Sequence, residues 1–268
     1  LGEHPEISMS HPKETHMFAK KYAECNSRYR ECFKNAEPGT LWGEYTPGYF
    51  AYSGVPERIK QHVPEAKLIV CLRDPIARIE SAYNYAKARQ KPLESDLGRY
   101  VESQLDQCQY CKHINRFLEH FERSAILILI QEDIKSDPVA FMRRVYQFLG
   151  VDAAFVAPST LKQTNVTSSD LTRFPFIHKW LLFLRNFFKQ TFGLGFSRFL
   201  RAIGVNRIVV AVLNLNRRPA GQTKVQIDKV RLSESQRVFV QKHLQTDIEQ
   251  LEKLLGRPLN CWPTKTSH

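Results

Sequence analysis

The chain has 268 residues, 43% of them hydrophobic and 25% charged, with a formal net charge of +12. That is enough sequence to bury a substantial core without disulfide staples. The longest clear apolar run, Ala125 to Ile130, falls far short of the ~20 residues that span a bilayer, so the sequence predicts no transmembrane helix, and no signal-peptide pattern is visible either.

In chain order, Lys20 to Lys34 reads as a helix closed by "EPGT", "LWGEY" from Leu41 as a short strand, "TPGYF" as a loop, and "VPERIKQHV" as a helix entered through Pro56. Leu68 to Leu72 is an uninterrupted apolar run of the kind found in strands covered on both faces. Asp74 and Pro75 mark a helix start: the carboxylate accepts a free N–H of the first turn, and proline loses nothing at the first helical position. Ile76, Ile79, Ala82, Tyr83 and Ala86 follow at helical spacing, so the unit is strand, tight turn, helix. Arg73 therefore sits at the carboxyl end of a strand, where open α/β sheets bind their ligands. On the turn alone two readings stay open, a cation paired with Asp74 or another acid, and a cation that holds an anion. Ser81 lies six residues beyond Pro75. That is ~9 Å along the axis, so an anion shared by Arg73 and Ser81 would lie along the helix flank.

Tyr110 to Glu122 reads as a helix with Ile114, Phe117, Leu118 and Phe121 on one face. Ala125 to Ile130 is a second fully buried strand, Pro138 to Leu149 a helix stopped by Gly150, and Leu161 to Thr172 an exposed polar loop. From Leu171 to Ile227 there are ten Lys or Arg and no Asp or Glu, together with eight of the 17 Phe. Within it, Ile177, Trp180, Leu181, Leu184 and Phe188 share one broad face, while Lys179, Arg185 and Lys189 lie toward the other. The basic face is either solvated or a surface for an anionic acceptor or an acidic membrane. Ser233 opens a long helix with Val240, Leu244, Ile248, Leu251 and Leu255 as its seam, ended by Gly256 and Pro258. Alternating strands and helices predict an α/β fold, a parallel sheet with helices on both faces. Residues 1–268 read as one domain, with 171–227 a basic, Phe-rich, mainly helical insertion and 228–262 a C-terminal helix returning to the core.

Of the six cysteines, Cys108 and Cys111 make a lone CxxC and the others are scattered. With no second ligand pair at metal spacing they read as packing thiols, and no metal is expected. No nucleic-acid motif is present and the aromatics are spaced as buried residues, so no specific nucleic-acid partner is expected.

Five stretches, in order, carry a resemblance: "HPEISMSHPKETHMF", "GEYTPGYF", "LIVCLRDPIARIESAYN", "ILILIQEDIKSDPVAFMRRVYQFLGV" and "DIEQLEKLLGRPLNCW". Over most of 1–155 and 228–262 the chain resembles the sulfotransferases that use 3′-phosphoadenosine-5′-phosphosulfate (PAPS), especially the branch with heparan sulfate sulfotransferases and bacterial relatives. The resemblance implies a P-loop-NTPase-like sulfotransferase fold, PAPS as co-substrate, no metal, and sulfuryl transfer to a hydroxyl or amine of a carbohydrate or other acceptor. It places Arg73 and Ser81 where the family holds the donor 3′-phosphate, with short charge-assisted bonds from the guanidinium and a neutral one from the serine. It places Glu14 as the base, His16 as an acceptor-site or base-orienting residue, and Lys13, Glu44 and Tyr45 on the acceptor side. Arg217 or Arg218, in "NLNRRPAGQTK", matches a basic loop near the 3′-phosphate.

The chain departs from that pattern in three places. The family's first strand and its phosphate loop, with a Lys and a Gly-Thr or Gly-Ser pair, have no counterpart, and an N-terminally shortened chain is the expectation. The acid that follows "KE-H-F-F" in the glycan enzymes is Ala19, and the Lys of their "EKTP" is Tyr45, which turns the expectation away from heparan sulfate in particular. The C-terminal half lacks the paired-cysteine loop of the glycan enzymes, which favours a cytoplasmic enzyme of bacterial type over one in the Golgi lumen. An alternative of another class is a non-catalytic module that binds a polyanion or an acidic membrane through 171–227.

Overall fold

The computed structural model describes residues 1–88, 96–161 and 229–264. Four strands are present among them: β1 (Ile7–Met9), β2 (Leu41–Gly43), β3 (Leu68–Leu72) and β4 (Ile126–Ile130). All pairings are parallel, as the alternation of elements predicts. They form two hydrogen-bonded pairs, with Ile7 opposite Leu41 in one and Leu68 opposite Ile126 through Leu72 opposite Ile130 in the other. The helices are α1 (Cys25–Arg28), α2 (Val55–His62), α3 (Pro75–Ala88), α4 (Leu97–Cys108), α5 (Tyr110–Leu118), α6 (Asp133–Ser136), α7 (Pro138–Leu149) and α8 (Glu234–Leu255).

Strand β4 is buried at every position. Ile126, Ile128 and Ile130 face the main core with α3, α4, α5 and α8, while Leu127 and Leu129 face a smaller cluster with Val145, Phe141 and Phe148 of α7. Alternate side chains of a strand point to opposite faces, so helices cover β4 on both sides. The same expectation fails for β3. Leu68, Val70 and Leu72 pack inward, but Ile69 and Cys71 on the other face are exposed.

The expected helix from Lys20 to Lys34 is also corrected. It is a chain of short turns: a 3-10 turn at Tyr22–Glu24, α1, and a second 3-10 turn at Arg30–Phe33. Tyr29 packs on Phe18 and Phe33, and Cys25, Cys32 and Phe33 are buried. Packing of these side chains overrides a helix too short to stand on propensity. "TPGYF" is a 3-10 turn at Pro47–Ala51. β1, α4 and α6 were not legible as elements. The insertion 171–227 lies outside the described residues.

Helix α8 starts as the sequence predicts. The Ser233 hydroxyl accepts the Gln236 N–H and the Gln236 side chain accepts the Ser233 N–H, and Gly256 ends the helix at φ +66°. Val240, Leu244, Ile248 and Leu251 are buried in the core. Each is worth roughly 1.5–3 kcal/mol relative to exposure. Asp247 of α8 accepts the Cys111 and Lys112 N–H groups at the start of α5, both at 3.0 Å, and so docks one helix on the free end of another. Leu1–Lys87, Pro92–Thr164 and Val230–His268 form one compact unit; the other, Ala88–Lys91 and Asn165–Lys229, lies almost wholly outside the described residues.

On α5, His113 is buried between Asp106 and Arg116. A guanidinium only donates, so Nδ1 accepts from Arg116 and Nε2–H donates to the Asp106 carbonyl at 2.6 Å. Burial lowers the imidazole from its ordinary value; the bond to the Asp106 carbonyl opposes this, and the Arg116 charge adds to it. As pH falls, the unfolded chain binds this proton first. The contribution of neutral His113 is therefore present above about pH 6.5 and lost below it, with a slope of at most about 1.4 kcal/mol per pH unit. The urea midpoint is expected to drop between pH 7.5 and pH 5.5, and His113→Gln is expected to flatten that difference.

Candidate active site

The first half of the site is the turn from β3 into α3. Asp74 is 2% exposed and caps the helix as its sequence position predicts: Oδ1 accepts the Ala77 N–H at 2.7 Å. Its Oδ2 accepts the N–H and hydroxyl of Thr264 at 3.0 and 2.6 Å, and the Thr264 hydroxyl oxygen accepts the Ile76 N–H. Glu132, just past β4, accepts the Asp74 N–H at 3.1 Å with one oxygen and the Trp262 indole N–H at 3.0 Å with the other. The Tyr110 hydroxyl donates to the Arg73 carbonyl at 2.8 Å.

Both polar groups of the Arg73–Asp74 peptide are thus held, by Tyr110 and Glu132, while Thr264 holds the Asp74 carboxylate and the Ile76 N–H. The Arg73 side chain is half-buried, and among the described residues no carboxylate lies within ion-pair distance of it. Of the two readings of Arg73, the pair with Asp74 is eliminated, because that carboxylate is filled by the helix start and Thr264. The nearby Arg78, by contrast, is engaged by Gln107 at 2.6 Å and by the Cys108 sulfur. Asp74→Ala removes a buried charged acceptor of three bonds. It is expected to cost about 3 kcal/mol and lower Tm by about 6–12 °C in a thermal melt.

Ser81 is exposed on α3. Beside it in sequence, Glu80 is 5% exposed and saturated: Arg231 and Arg237 each donate at 2.7 Å, and the Leu232 N–H donates at 3.0 Å. Asn84, one turn further, exchanges two bonds with the Val230 backbone, both at 2.9 Å, as a neighbouring strand would. These contacts fasten the chain leading into α8 onto the helix that carries Ser81. Arg217 and Arg218 lie outside the described residues.

The second half is the loop after β1. His16 Nε2 lies 3.6 Å from Glu14 Oε2, with side chains 37% and 49% exposed. That distance is an ion-pair contact, too long for a hydrogen bond. The Lys13 ammonium stands 5.0 Å from the centre of the Tyr45 ring. The Tyr45 phenol is pushed up from its ordinary value, by burial first, then by the charge of Glu14. Glu44, expected on the acceptor side, has a carboxylate engaged by hydroxyls of the protein: Thr15, Thr46 at 2.9 Å and Tyr49 at 2.7 Å. Thr15, Thr46 and Tyr49 were missed as site residues. The only signal in the sequence was a run of hydroxyl side chains around one acid in "GEYTPGYF".

Two parallel strand pairs thus carry the expected site residues, Arg73 at the carboxyl end of β3 where α3 begins, and Glu14 with His16 on the loop after β1. The fold is that of the sulfotransferases. The chain superimposes on the crystal structure of a sulfotransferase from Alicyclobacillus acidocaldarius with a TM-score of 0.62, covering 97% of this chain and 90% of that one at 18% identity. The sulfotransferase family profile matches residues 3–154, more than half of the sequence, and the chain belongs to that family. It is 29% identical over 162 residues to mouse heparan sulfate glucosamine 3-O-sulfotransferase 3B1, a match covering 56% of this chain and 41% of that protein. It is 31% identical over 124 residues to mouse bifunctional heparan sulfate N-deacetylase/N-sulfotransferase 4, covering 40% of this chain and 14% of that protein. The chain thus spans less than half the length of the curated relatives it matches. Among the described residues no helix is long and apolar enough to cross a membrane, and no group of His, Cys, Asp and Glu forms a metal cluster.

Proposed function

We propose that the protein transfers the sulfuryl group of PAPS to a hydroxyl, or an amine, of a carbohydrate or similar acceptor. The observation that carries this reading is Arg73, a cation at the carboxyl end of a parallel strand, its backbone pinned and its guanidinium without a carboxylate partner among the described residues. A guanidinium carried on a pinned backbone suits bidentate recognition of a phosphate. Arg73 and the exposed Ser81 hold the 3′-phosphate of the donor along the flank of α3. Relatives named for sulfation of glucosamine support a sugar-type acceptor.

Glu14 is the general base. The acceptor oxygen attacks sulfur in line with the bond to the 5′-phosphate, Glu14 takes the acceptor proton, and the electron pair of the broken S–O bond leaves on the phosphate of 3′-phosphoadenosine-5′-phosphate. His16 orients Glu14; Lys13 and Tyr45 flank the acceptor. Positioning and electrostatics supply most of such a reaction. In the test, the full-length protein is expected to show a raised Tm with 3′-phosphoadenosine-5′-phosphate and to move labelled sulfate from PAPS onto a partly desulfated glycan. Absence of both effects sinks the proposal.

A further inference from the structure

We propose that Glu44 does not meet the acceptor but is the positioning residue that sets the Glu14–His16 loop. This rests on the reading of Glu14 as the base. A carboxylate offers about four lone-pair directions. Protein hydroxyls converge on one of its oxygens: Thr15, Thr46 and Tyr49 all donate to Oε1. The Tyr49 phenol is held well above its ordinary value, burial being the largest cause, so it keeps its proton to donate.

The direction of those protons determines what the hydroxyl oxygens do next. With its hydrogen turned to Glu44, Thr15 presents lone pairs to the Met17 N–H at 3.2 Å, and Tyr49 presents them to the Phe18 N–H at 3.1 Å. The Thr15 and Tyr49 oxygens lie 3.1 Å apart, which closes the cluster. The carboxylate thereby reaches, through two hydroxyls, the two backbone amides that immediately follow His16. Thr15 itself is fully buried between the exposed Glu14 and the half-buried His16.

His16 needs such holding. Its φ of +57° lies in the left-handed region that is uncommon for any residue but glycine, although histidine, like asparagine and aspartate, enters it more often than most. Strain of this kind persists only where the surroundings over-determine it. Here the His16 carbonyl accepts the N–H groups of Ala19 and Lys21, both at 3.1 Å, and Arg58 donates to the Phe18 carbonyl at 3.1 Å. The loop is thus held through Glu44 at the Met17 and Phe18 N–H groups and by Arg58 at the Phe18 carbonyl, while Glu14 stays exposed and His16 half-buried.

The test uses the full-length protein with three substitutions. Thr15→Val keeps the shape and removes the hydroxyl; it is expected to lower kcat about 100-fold with the donor KM changed less than about twofold. Amide exchange at Met17 is expected to quicken at least about tenfold in the same variant. Thr15→Ser restores the relay and is expected to bring both values back to within about threefold of the wild type. Glu44→Gln keeps the volume without the charge and is expected to lie between the two. Two results would overturn the proposal: a raised acceptor KM with unchanged kcat in Glu44→Gln, or wild-type exchange at Met17 and Phe18 in both Thr15→Val and Glu44→Gln. The exchange measurement decides the positioning role even in a protein that transfers no sulfate, so its failure is distinct from failure of the proposed activity.

Discussion

Arg73→Ala is expected to abolish the rise in Tm that 3′-phosphoadenosine-5′-phosphate gives the full-length protein. At a nucleotide concentration 100 times its Kd, linkage contributes about 2.7 kcal/mol, or about 5–11 °C for a domain of this size. The substitution leaves the unliganded protein nearly unchanged, because the guanidinium supports no carboxylate among the described residues and the backbone of the turn is held by Tyr110 and Glu132. A change limited to roughly ±0.5 kcal/mol is the norm for such a position. Arg73→Lys is expected to fall between the two, since an ammonium keeps the charge but not the two-pronged geometry. A full shift retained in Arg73→Ala would place the anion elsewhere.

Glu14→Gln carries the second large effect. Removal of a general base lowers kcat by about 10²–10⁴-fold, and glutamine keeps nearly the same volume on an exposed loop. The nucleotide-induced rise in Tm is expected to survive, because Arg73 and Ser81 stand on a different strand and helix from Glu14. The pair of variants therefore separates the two halves of the site: one loses donor binding, the other loses turnover. A Glu14→Gln protein within threefold of wild-type kcat would require another base.

Much of this was legible in the sequence where one residue type has one physical use. Asp74 before Pro75, Ser233 before α8, and Gly150 and Gly256 after their helices mark ends that the structure reproduces, because caps depend on local backbone geometry. What was illegible depends on partners far away in the chain. β1 has three residues, too few for a pattern, and α4 buries only Val101 and Cys108 fully. The turns from Tyr22 to Phe33 answer to the packing of Tyr29 on Phe18 and of Phe33 on Trp42, not to their own spacing. Glu44 fell where the acceptor was expected, and only the convergence of hydroxyls from positions 15, 46 and 49 shows what its carboxylate touches.

The hold that Trp262 and Thr264 exert on Asp74 and Glu132 has a consequence for the order in which the protein is made. Thr264 bonds to Asp74 across 190 residues of sequence, and Trp262 to Glu132 across 130. Ribosomes deliver the chain from its N-terminus at about 5–20 residues per second, so the β3–α3 turn emerges at least about ten seconds before the residues that lock it. During that interval the strand and the first turn of the helix can form, but the aim of Arg73 is unset. Whatever depends on the aim of Arg73 thus waits for Trp262 and Thr264, and a chain cut short before Trp262 keeps Arg73 and Ser81 yet lacks the lock on their turn.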